Sequence, residues 1–334
     1  LDENGYLFAL KKIIHQYPHC WRCKTPILFR ATDQWFCSVE DFKDKACEAI
    51  DSVKWIPAWG HDRITNMVKE RKDWCISRQR KWGVPIPIFF CKECGEPHID
   101  NDAMMAVADL FEKEGSNAWY SHTAAEILPE GTKCKKCGCT EFEKEKDIMD
   151  VWFDSGSSHA AVISKRDNLK FPADLYLEGN DQYRGWFQSS LLTSVATEGV
   201  APYKAVLTHG MILDEEKRKM SKSLGNGISP QDVTEKYGAD VLRLWVSSTD
   251  YQSDVHISNE ILKQISESYR KIRNTARYIL GNVYDFNPDT DSVPVNELMP
   301  MDKWAIVKLN ELIAKVKQAY DNYEFHQVYH SIRN

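Results

Sequence analysis

Two lysines three residues apart carry the clearest sign of chemistry in this sequence. They lie in residues 219–223, which read Lys-Met-Ser-Lys-Ser. A lysine ammonium group binds phosphate oxygens as a mobile point charge, and Gly225, just beyond the run, lets the backbone move. The pattern predicts a loop that brings positive charge to a phosphate, whereas a basic loop without a function would simply be solvated. The candidate phosphate-binding residues are Lys219, Ser221, Lys222 and Ser223.

A second polar group, Glu-Gly-Asn-Asp-Gln at residues 178–182, follows a strand-like run. Its two carboxylates and its amide suit an α-ammonium group and a ribose or acyl group, and its glycine admits close approach of the backbone. An ordinary acidic turn is the alternative interpretation. The candidate binding residues of this group are Glu178, Gly179, Asp181 and Gln182.

Four cysteines in two C-x-x-C pairs indicate a metal site. Two thiolate pairs, each followed by a glycine that permits a tight turn, suit a tetrahedral Cys₄ zinc site. The long interval between the pairs predicts a short helix near residues 101–114. Free buried cysteines and a redox pair are the alternatives, and Cys139 could replace the last of the four. The candidate metal ligands are Cys91, Cys94, Cys134 and Cys137.

The bulk composition indicates a soluble globular protein with two or three folded units. Charged residues make up 28% of the 334 residues and hydrophobic residues 43%, and no apolar run is long enough to cross a bilayer. Cysteine pairs of this kind favour metal binding in a reducing compartment, so we expect a cytoplasmic protein without a membrane partner. The net charge of −6 is unlike that of a nucleic-acid coat, so contact with RNA would have to come from local basic faces.

Strand and helix patterns alternate in the middle of the chain and predict an α/β fold. A helix predicted over residues 186–197 lies between two strand-like runs, and this order favours a parallel sheet. Earlier in the chain, residues 34–39 have strand character, and Asp41 is a predicted N-cap for a helix over 42–50. From residue 259 onwards the periodicity is helical.

Six segments, taken in order, resemble a known family. They are residues 74–87, 150–158, 176–187, 209–210, 219–226 and 237–245. Residues 219–223 are similar to the KMSKS loop of class I aminoacyl-tRNA synthetases, and the whole set resembles the isoleucyl-tRNA synthetases of that class. The valyl enzymes share the first segment and the lysine run, but they typically depart after Phe153, where this chain continues Asp-Ser-Gly. The leucyl enzymes are less similar.

The resemblance implies the second half of a Rossmann-like nucleotide-binding fold with a zinc-bearing insertion, followed by the start of an α-helical bundle. The implied domains are 1–24, a remnant of the editing-domain insertion; 25–90 and 145–215, the Rossmann-like catalytic core; 91–144, the zinc-binding insertion; 216–258, the KMSKS loop and stem-contact region; and 259–334, the start of the helical anticodon-binding domain. The histidine motif that class I enzymes carry upstream does not occur here. We therefore expect a fragment that lacks this N-terminal half and most of the editing domain, and that is inactive alone.

The resemblance also implies a reaction. An isoleucyl-tRNA synthetase activates isoleucine with ATP, supplied with magnesium, to isoleucyl-adenylate and then transfers the isoleucyl group to tRNA(Ile). Lys222, supported by Lys219, would stabilise the leaving pyrophosphate, while Ser221 and Ser223 would order the loop.

The other candidate residues are assigned by the resemblance to the adenylate. Glu178 would contact the aminoacyl-adenylate, and Asp181 and Gln182 would hold its amino-acid end. The residues implied beside the adenosine are His209 and Gly210. The residues implied as walls of the isoleucine pocket are Trp152 and Trp186, although either tryptophan could instead belong to the core.

A third C-x-x-C pair, Cys20 and Cys23, lacks the sequence context of a thioredoxin-like redox motif. In the family it resembles half of a zinc site whose partner cysteines lie before residue 1. We therefore expect this pair to bind zinc poorly or not at all.

Two alternative functions remain open from the sequence. A valyl-tRNA synthetase would be distinguished by the amino-acid analogue that binds. A non-catalytic, zinc-containing RNA-binding module on a synthetase scaffold would show salt-dependent tRNA binding without recognition of adenylate analogues.

Overall fold

A computed structural model describes residues 2–20, 23–221 and 224–333. The chain divides into two compact units. The first contains Leu1–Cys37 and Cys75–Ile148, and the second contains Ser38–Trp74 and Met149–Asn334. Within the described residues, we find no helix that combines the length and the apolar character needed to cross a membrane.

The strands are short and are numbered in chain order. They are β1 (Phe36–Cys37), β2 (Lys54–Ile56), β3 (Trp74–Cys75), β4 (Ser77–Arg78), β5 (Phe89–Cys91), β6 (Pro97–His98), β7 (Phe142–Lys144), β8 (Ile148–Met149), β9 (Tyr176–Gly179), β10 (Ala205–His209), β11 (Ile212–Leu213) and β12 (Val255–His256).

The helices are also numbered in chain order. They are α1 (Lys43–Asp51), α2 (Trp59–Lys69), α3 (Asn101–Glu114), α4 (Ala118–Ser121), α5 (Ala124–Ile127), α6 (Val151–Gly156), α7 (Trp186–Glu198), α8 (Pro230–Tyr237), α9 (Ala239–Ser248), α10 (Asn259–Asn282), α11 (Pro300–Asp321) and α12 (Phe325–Arg333). Short 3₁₀ turns cover Glu40–Phe42 and Asn180–Arg184, and a π-helical turn covers His159–Ile163.

The first unit is built on the antiparallel sheet β6-β5-β7. Phe89 of β5 pairs with His98 on one side and with Lys144 on the other. Helix α3 was predicted from the interval between the cysteine pairs and is confirmed over Asn101–Glu114. Its buried face joins Phe89 and Trp119 in one apolar core, and this core supports the turns that carry the four cysteines.

The second unit contains the predicted parallel sheet, with strand order β2-β10-β9. Helix α7 joins β9 to β10, as the strand–helix–strand pattern predicted, and it buries polar Ser190 and Ser194 together with its apolar residues. A helix buried on most of its surface in this way belongs to the core. The α/β fold class is therefore confirmed.

Aromatic residues fix the position of the parallel sheet. The Tyr183 hydroxyl hydrogen-bonds with Thr208 Oγ1 of β10 at 2.9 Å. The buried Tyr203 hydroxyl donates to the carbonyl oxygen of Phe187 in α7 at 3.0 Å. Each ring thus satisfies its polar group within the core, and together they hold α7 and the strands in one arrangement.

The helical pattern predicted from residue 259 onwards corresponds to α10, α11 and α12. The apolar core that includes Trp245 and Leu262 joins α10 and α12 to the earlier helices α8 and α9. The prediction that Asp41 caps a helix is wrong. Asp41 lies inside the 3₁₀ turn, and α1 begins after Phe42 without a side-chain cap, because the turn continues directly into the helix. The predicted strand over 34–39 is also shorter, since only Phe36–Cys37 pairs.

Candidate functional site

The parallel strands β9 and β10 end side by side. Gly179, the last residue of β9, pairs with His209, the last residue of β10, and Glu178 pairs with Thr208. In open α/β sheets, ligands bind just beyond the carboxyl ends of the strands. The structure therefore brings the candidate binding residues Glu178, Gly179 and His209 to the edge where a ligand is expected.

Glu178 and His209 face each other at this edge. Glu178 Oε1 lies 3.8 Å from His209 Nε2, and the two side chains are 50% and 39% exposed. Glu178 Oε1 also accepts a hydrogen bond from the Gly179 N–H at 2.9 Å. The carboxylate is thus oriented by its own backbone but remains open to a cationic or hydroxyl-bearing ligand.

Gly179 leaves a small space between these side chains. A Cβ at this position would lie 2.9 Å from Asp181 Oδ1, 3.4 Å from Met211 Cε and 3.5 Å from His209 Cε1. The missing side chain therefore lets the Asp181 carboxylate and the imidazole approach the same stretch of backbone. Asp181 is exposed, so a second carboxylate is available beside Gly179.

Gly185 brings the two candidate pocket tryptophans together. A Cβ there would lie 2.8 Å from Cζ3 of Trp152 and 2.6 Å from Oε1 of Gln182. The Gln182 oxygen accepts a hydrogen bond from the Trp186 N–H at 3.0 Å, which orients the side-chain amide. Trp152, Gln182 and Trp186 therefore surround one backbone position at the start of α7.

Trp186 is held rigidly, whereas Trp152 is more open. The Trp186 ring stacks on Tyr176 with centroids 4.0 Å apart and an angle of 10° between the planes. Its Nε1 donates to the Ser155 carbonyl oxygen and to Ser158 Oγ, both at 3.1 Å. Trp152 is 41% exposed, as expected for a residue that lines an open pocket.

Gly210 fixes the path of the chain after β10. Its N–H donates to the Tyr251 carbonyl oxygen at 2.8 Å, and a Cβ would lie only 2.3 Å from the backbone of Ser253. Only glycine fits this approach, so the position has a packing reason as well as the predicted binding role. An apolar cavity of about 430 Å³ opens beside His209 and Gly210 and is walled by Leu177, Leu207 and Trp245.

Residues 219–226, called the lysine loop below, begin directly after a hairpin. Lys219 bridges back to Leu213 of β11 in antiparallel register, so the backbone of the first lysine is anchored to a strand. Ser221 is described, and its carbonyl oxygen accepts from the Leu224 and Gly225 N–H groups at 3.2 Å. The predicted phosphate-binding residues Lys222 and Ser223 lie outside the described residues.

Asp214 and Asn226 are polar residues at the lysine loop that the sequence reasoning did not single out. Asp214 is 6% exposed. Burial alone would raise the pKa of the Asp214 carboxyl group. Hydrogen bonds from Asn226 and Arg218 outweigh this effect and lower the pKa of Asp214 to about 2. The sequence signal was an acid four residues before an arginine, which is common on surfaces and would not have identified a buried carboxylate.

The four predicted metal ligands come together in the first unit. The sulfur atoms of Cys91, Cys94, Cys134 and Cys137 all lie within 4.8 Å of one another. The Cys91–Cys137 and Cys94–Cys134 pairs are 3.5 and 3.6 Å apart. These distances are too long for disulfides. Four sulfur atoms bound tetrahedrally to zinc at about 2.3 Å would lie roughly 3.8 Å from one another. The observed distances are close to this value, so the residues fit a metal ion.

Backbone groups favour the thiolate at two of the four cysteines, whereas at Cys94 and Cys137 burial and the neighbouring cysteines outweigh a backbone N–H group and raise the pKa of the thiol. N–H groups of Cys94 and Glu93 lower the pKa of Cys91 to about 6, and those of Cys137 and Lys136 lower the pKa of Cys134. The sulfur of Cys139 instead donates to the Glu141 carbonyl oxygen. Because Cys139 is not among the four clustered residues, the geometry favours Cys137 as the fourth ligand.

The pair Cys20 and Cys23 has the backbone of a metal-binding turn. The Lys24 N–H donates to the Cys20 carbonyl oxygen at 2.8 Å, just as Gly95 donates to Cys91 and Gly138 to Cys134 at 2.9 Å. All three donors have positive φ, between 61° and 76°. Among the described residues, however, no other cysteine, histidine or acidic side chain joins Cys20 and Cys23 in a group that could hold a metal.

Comparison with known sequences and structures places this geometry in context. Two curated relatives named isoleucine–tRNA ligase, from Caldicellulosiruptor bescii and Caldanaerobacter subterraneus subsp. tengcongensis, are 61% and 63% identical over the whole chain. The chain spans 36% of the length of each. A solved structure of Mycobacterium tuberculosis methionyl-tRNA synthetase bound by methionyl-adenylate shares the fold, with a TM-score of 0.63 at 19% identity; the match covers 94% of this chain and 53% of that one.

Two families match the sequence. Residues 302–334 match the anticodon-binding domain of tRNA ligases. Residues 23–258, well over half of the chain, match the class I tRNA synthetases of the I, L, M and V group. This stretch includes the ends of β9 and β10, the tryptophans around Gly185, the four-cysteine cluster and the lysine loop, and the chain belongs to the class I tRNA synthetases.

Proposed function

We propose that this chain is part of an isoleucine–tRNA ligase and carries the later half of its active site. The observation that carries the proposal is the meeting of Glu178, Asp181 and His209 at the ends of two parallel strands. The names of the relatives at about 60% identity support isoleucine over valine. The complete enzyme would form isoleucyl-adenylate from isoleucine and ATP and transfer the isoleucyl group to tRNA(Ile).

Activation of an amino acid by ATP is an in-line displacement at the α-phosphorus, with pyrophosphate leaving. Negative charge builds on the leaving group, so the protein mainly supplies positioning and positive charge. Lys219 and Lys222 of the lysine loop would provide that charge next to the magnesium that accompanies ATP. Anchoring of Lys219 to β11 supports this role, because a fixed backbone limits where its ammonium group can reach.

The other end of the adenylate would lie at the strand ends. The carboxylates of Glu178 and Asp181 suit the α-ammonium group and the ribose hydroxyls, since charged acceptors form the stronger hydrogen bonds. His209 and Gly210 would border the adenosine. Trp152 and Trp186 would flank the isoleucine side chain, and the rigid stacking of Trp186 on Tyr176 suits a pocket wall whose shape must not change.

We also propose zinc as the metal at Cys91, Cys94, Cys134 and Cys137. Four thiolates leave no open coordination position, so the ion would supply a structural crosslink rather than a reactive centre. The sulfurs must stay reduced to bind it, which agrees with a reducing compartment such as the cytoplasm. The domain limits predicted from the resemblance remain part of this proposal.

Thermal melting with adenylate analogues tests the proposal. We would measure the melting temperature with non-hydrolysable isoleucyl-, valyl- and methionyl-adenylate analogues, because a ligand that binds only the folded state stabilises it by about 2.7 kcal/mol at 100 times its Kd. We expect the isoleucyl analogue alone to raise the melting temperature. Glu178→Gln should reduce this rise, whereas Glu267→Gln, at an exposed position of α10, should leave it unchanged.

The other outcomes are equally informative. If the valyl analogue raised the melting temperature more than the isoleucyl analogue did, valine rather than isoleucine would be the substrate. Salt-dependent tRNA binding without any analogue effect would favour the RNA-binding module instead. No rise with any analogue would refute the assignment of Glu178 and its neighbours as a binding site in this chain.

A further inference from the structure

Asp214 is the centre of a hydrogen-bonded hairpin that leads into the lysine loop. The backbone N–H of Asp214 donates to the Arg218 carbonyl oxygen at 3.0 Å, and the Lys217 N–H donates to the Asp214 carbonyl oxygen at 3.0 Å. The Asp214 carboxylate also accepts from the Arg218 backbone N–H at 2.7 Å and from Arg218 Nε at 2.9 Å. This carboxylate therefore closes the turn that places Lys219 opposite Leu213.

Asn226 connects the same carboxylate to the far end of the loop. Its Nδ2 donates to Asp214 Oδ2 at 2.7 Å and, more weakly, to the Lys219 carbonyl oxygen at 3.4 Å. Its Oδ1 accepts from the Ser221 N–H at 2.9 Å. One amide side chain thus bridges the strand side of the hairpin and the backbone on both sides of Met220.

Asparagine is chemically suited to this position. The bridge needs a donor towards the Asp214 carboxylate and an acceptor for a backbone N–H, and an amide supplies both. An aspartate at 226 would keep the acceptor but would set two carboxylates against each other, and an alanine would supply neither group. The low exposure of Asp214 makes the bridge stronger than a similar contact in water would be.

We infer that Asp214 and Asn226 are positioning residues that hold the root of the lysine loop, so that the Lys219 ammonium group is presented at a fixed place to pyrophosphate. The inference rests on the proposed function for the identity of the anion. The bridge acts on the backbone at Lys219 and Ser221.

Limited proteolysis reports on the loop without requiring catalysis. Trypsin cleaves after Lys219 and Lys222, and mass spectrometry would give the cleavage rate there relative to residues 165–170 of the same chain. We expect Asn226→Ala to be cleaved in the loop about tenfold faster at an unchanged melting temperature, because local opening becomes easier without global unfolding. Glu216→Gln, which removes only a surface partner of Arg218, should behave like the wild type.

Protection of the loop by magnesium pyrophosphate then distinguishes a positioning role of Asn226 from a purely structural one. In the wild type we expect pyrophosphate to slow loop cleavage, and in Asn226→Ala the concentration for half protection should rise about tenfold. The double variant Asp214→Asn with Asn226→Asp exchanges donor and acceptor and should recover part of both effects.

Each result has a definite meaning. Unchanged cleavage and unchanged protection in Asn226→Ala would overturn the inference. Faster cleavage of the variant, with no pyrophosphate protection even in the wild type, would support the hold on the loop but contradict pyrophosphate binding by this chain, and hence the role proposed for Lys219.

Discussion

Asp154 is an ionisable residue of α6 whose surroundings disfavour its charge. Burial, followed by repulsion from Asp150 one turn earlier, raises the pKa of Asp154 to about 6. Asp150 is committed to other partners, since it accepts from Trp152 N at 3.3 Å and from Trp74 Nε1 at 3.1 Å. Asp154 therefore holds its proton to a higher pH than a solvent-exposed aspartate does.

This shift predicts a pH-dependent loss of stability. Between about pH 4 and pH 6, folded Asp154 keeps a proton that the unfolded chain has already released, so the free energy of unfolding falls as the pH rises through this window. Two pKa units correspond to roughly 3 kcal/mol, and the partial exposure of the group reduces this to about 1 kcal/mol. Asp154→Asn should stabilise the protein by that amount at pH 7.5 and flatten the pH profile.

Urea unfolding of both proteins from pH 4 to pH 8 measures this effect. Asp167→Asn, in an exposed turn, is the matched control and should leave the profile unchanged. Equal slopes for the wild type and Asp154→Asn would show that Asp154 does not titrate in this range.

Residue identity alone predicted only part of the site. Glu178 could be found because it is a polar residue at the end of a strand-like run, where parallel strands place their functional groups, whereas His209 was indicated only by the resemblance to the synthetases. The bridge from Asp214 to Asn226 could not be predicted from the sequence, because it depends on a hairpin turn with Lys217 at a φ of 62°. Loop conformation of this kind is not encoded in hydrophobic periodicity.

At the scale of elements, α6 and α7 pack closely through a glycine. A Cβ at Gly156 would lie 2.9 Å from the carbonyl carbon and oxygen of Ser189. Since the conflict is with backbone, Gly156→Ala must push the helices apart, and we expect a cost of about 1–3 kcal/mol. Trp152 and Trp186 lie on these two helices, so the same variant should also weaken any stabilisation by an adenylate analogue.

Gly227→Ala is the control for this prediction. A Cβ at Gly227 meets nothing within 4 Å, so the substitution should change the free energy of unfolding by less than about 0.5 kcal/mol. Denaturant unfolding of the two variants gives the comparison directly. A cost for Gly156→Ala no larger than that for Gly227→Ala would mean that the helices can separate freely.

Helices, strands and turns were predicted best where the local sequence pattern favours the same structure as the packing of the folded chain requires. Helix α7 and the parallel strands beside it follow from apolar runs of the right lengths. The turns at Cys91 and Cys134 follow from the glycine after each C-x-x-C pair. The cap at Asp41 failed because an acidic residue before a helix suits either a cap or a preceding 3₁₀ turn, and only the path of the chain decides between them.

At the scale of the whole molecule, the four-cysteine cluster and the candidate ligand site lie in different compact units. The four cysteines belong to the first unit, and the ends of β9 and β10 belong to the second. Units with separate cores can unfold separately, and each is stabilised by whatever binds to it. The two sites should therefore be distinguishable in one calorimetric experiment.

We expect two heat-absorption transitions in the zinc-loaded chain, with one zinc ion per chain because Cys20 and Cys23 lack further ligands among the described residues. A chelator should lower only the transition of the first unit, since a structural ion contributes its binding free energy to folding. The isoleucyl-adenylate analogue should raise only the melting temperature of the other transition.

Cys137→Ser should abolish the response to the chelator, whereas Cys139→Ser should keep it, because Cys139 lies outside the four-sulfur cluster. Two zinc ions per chain would show that Cys20 and Cys23 find ligands of their own, and a single transition shifted by both ligands would show that the units fold as one.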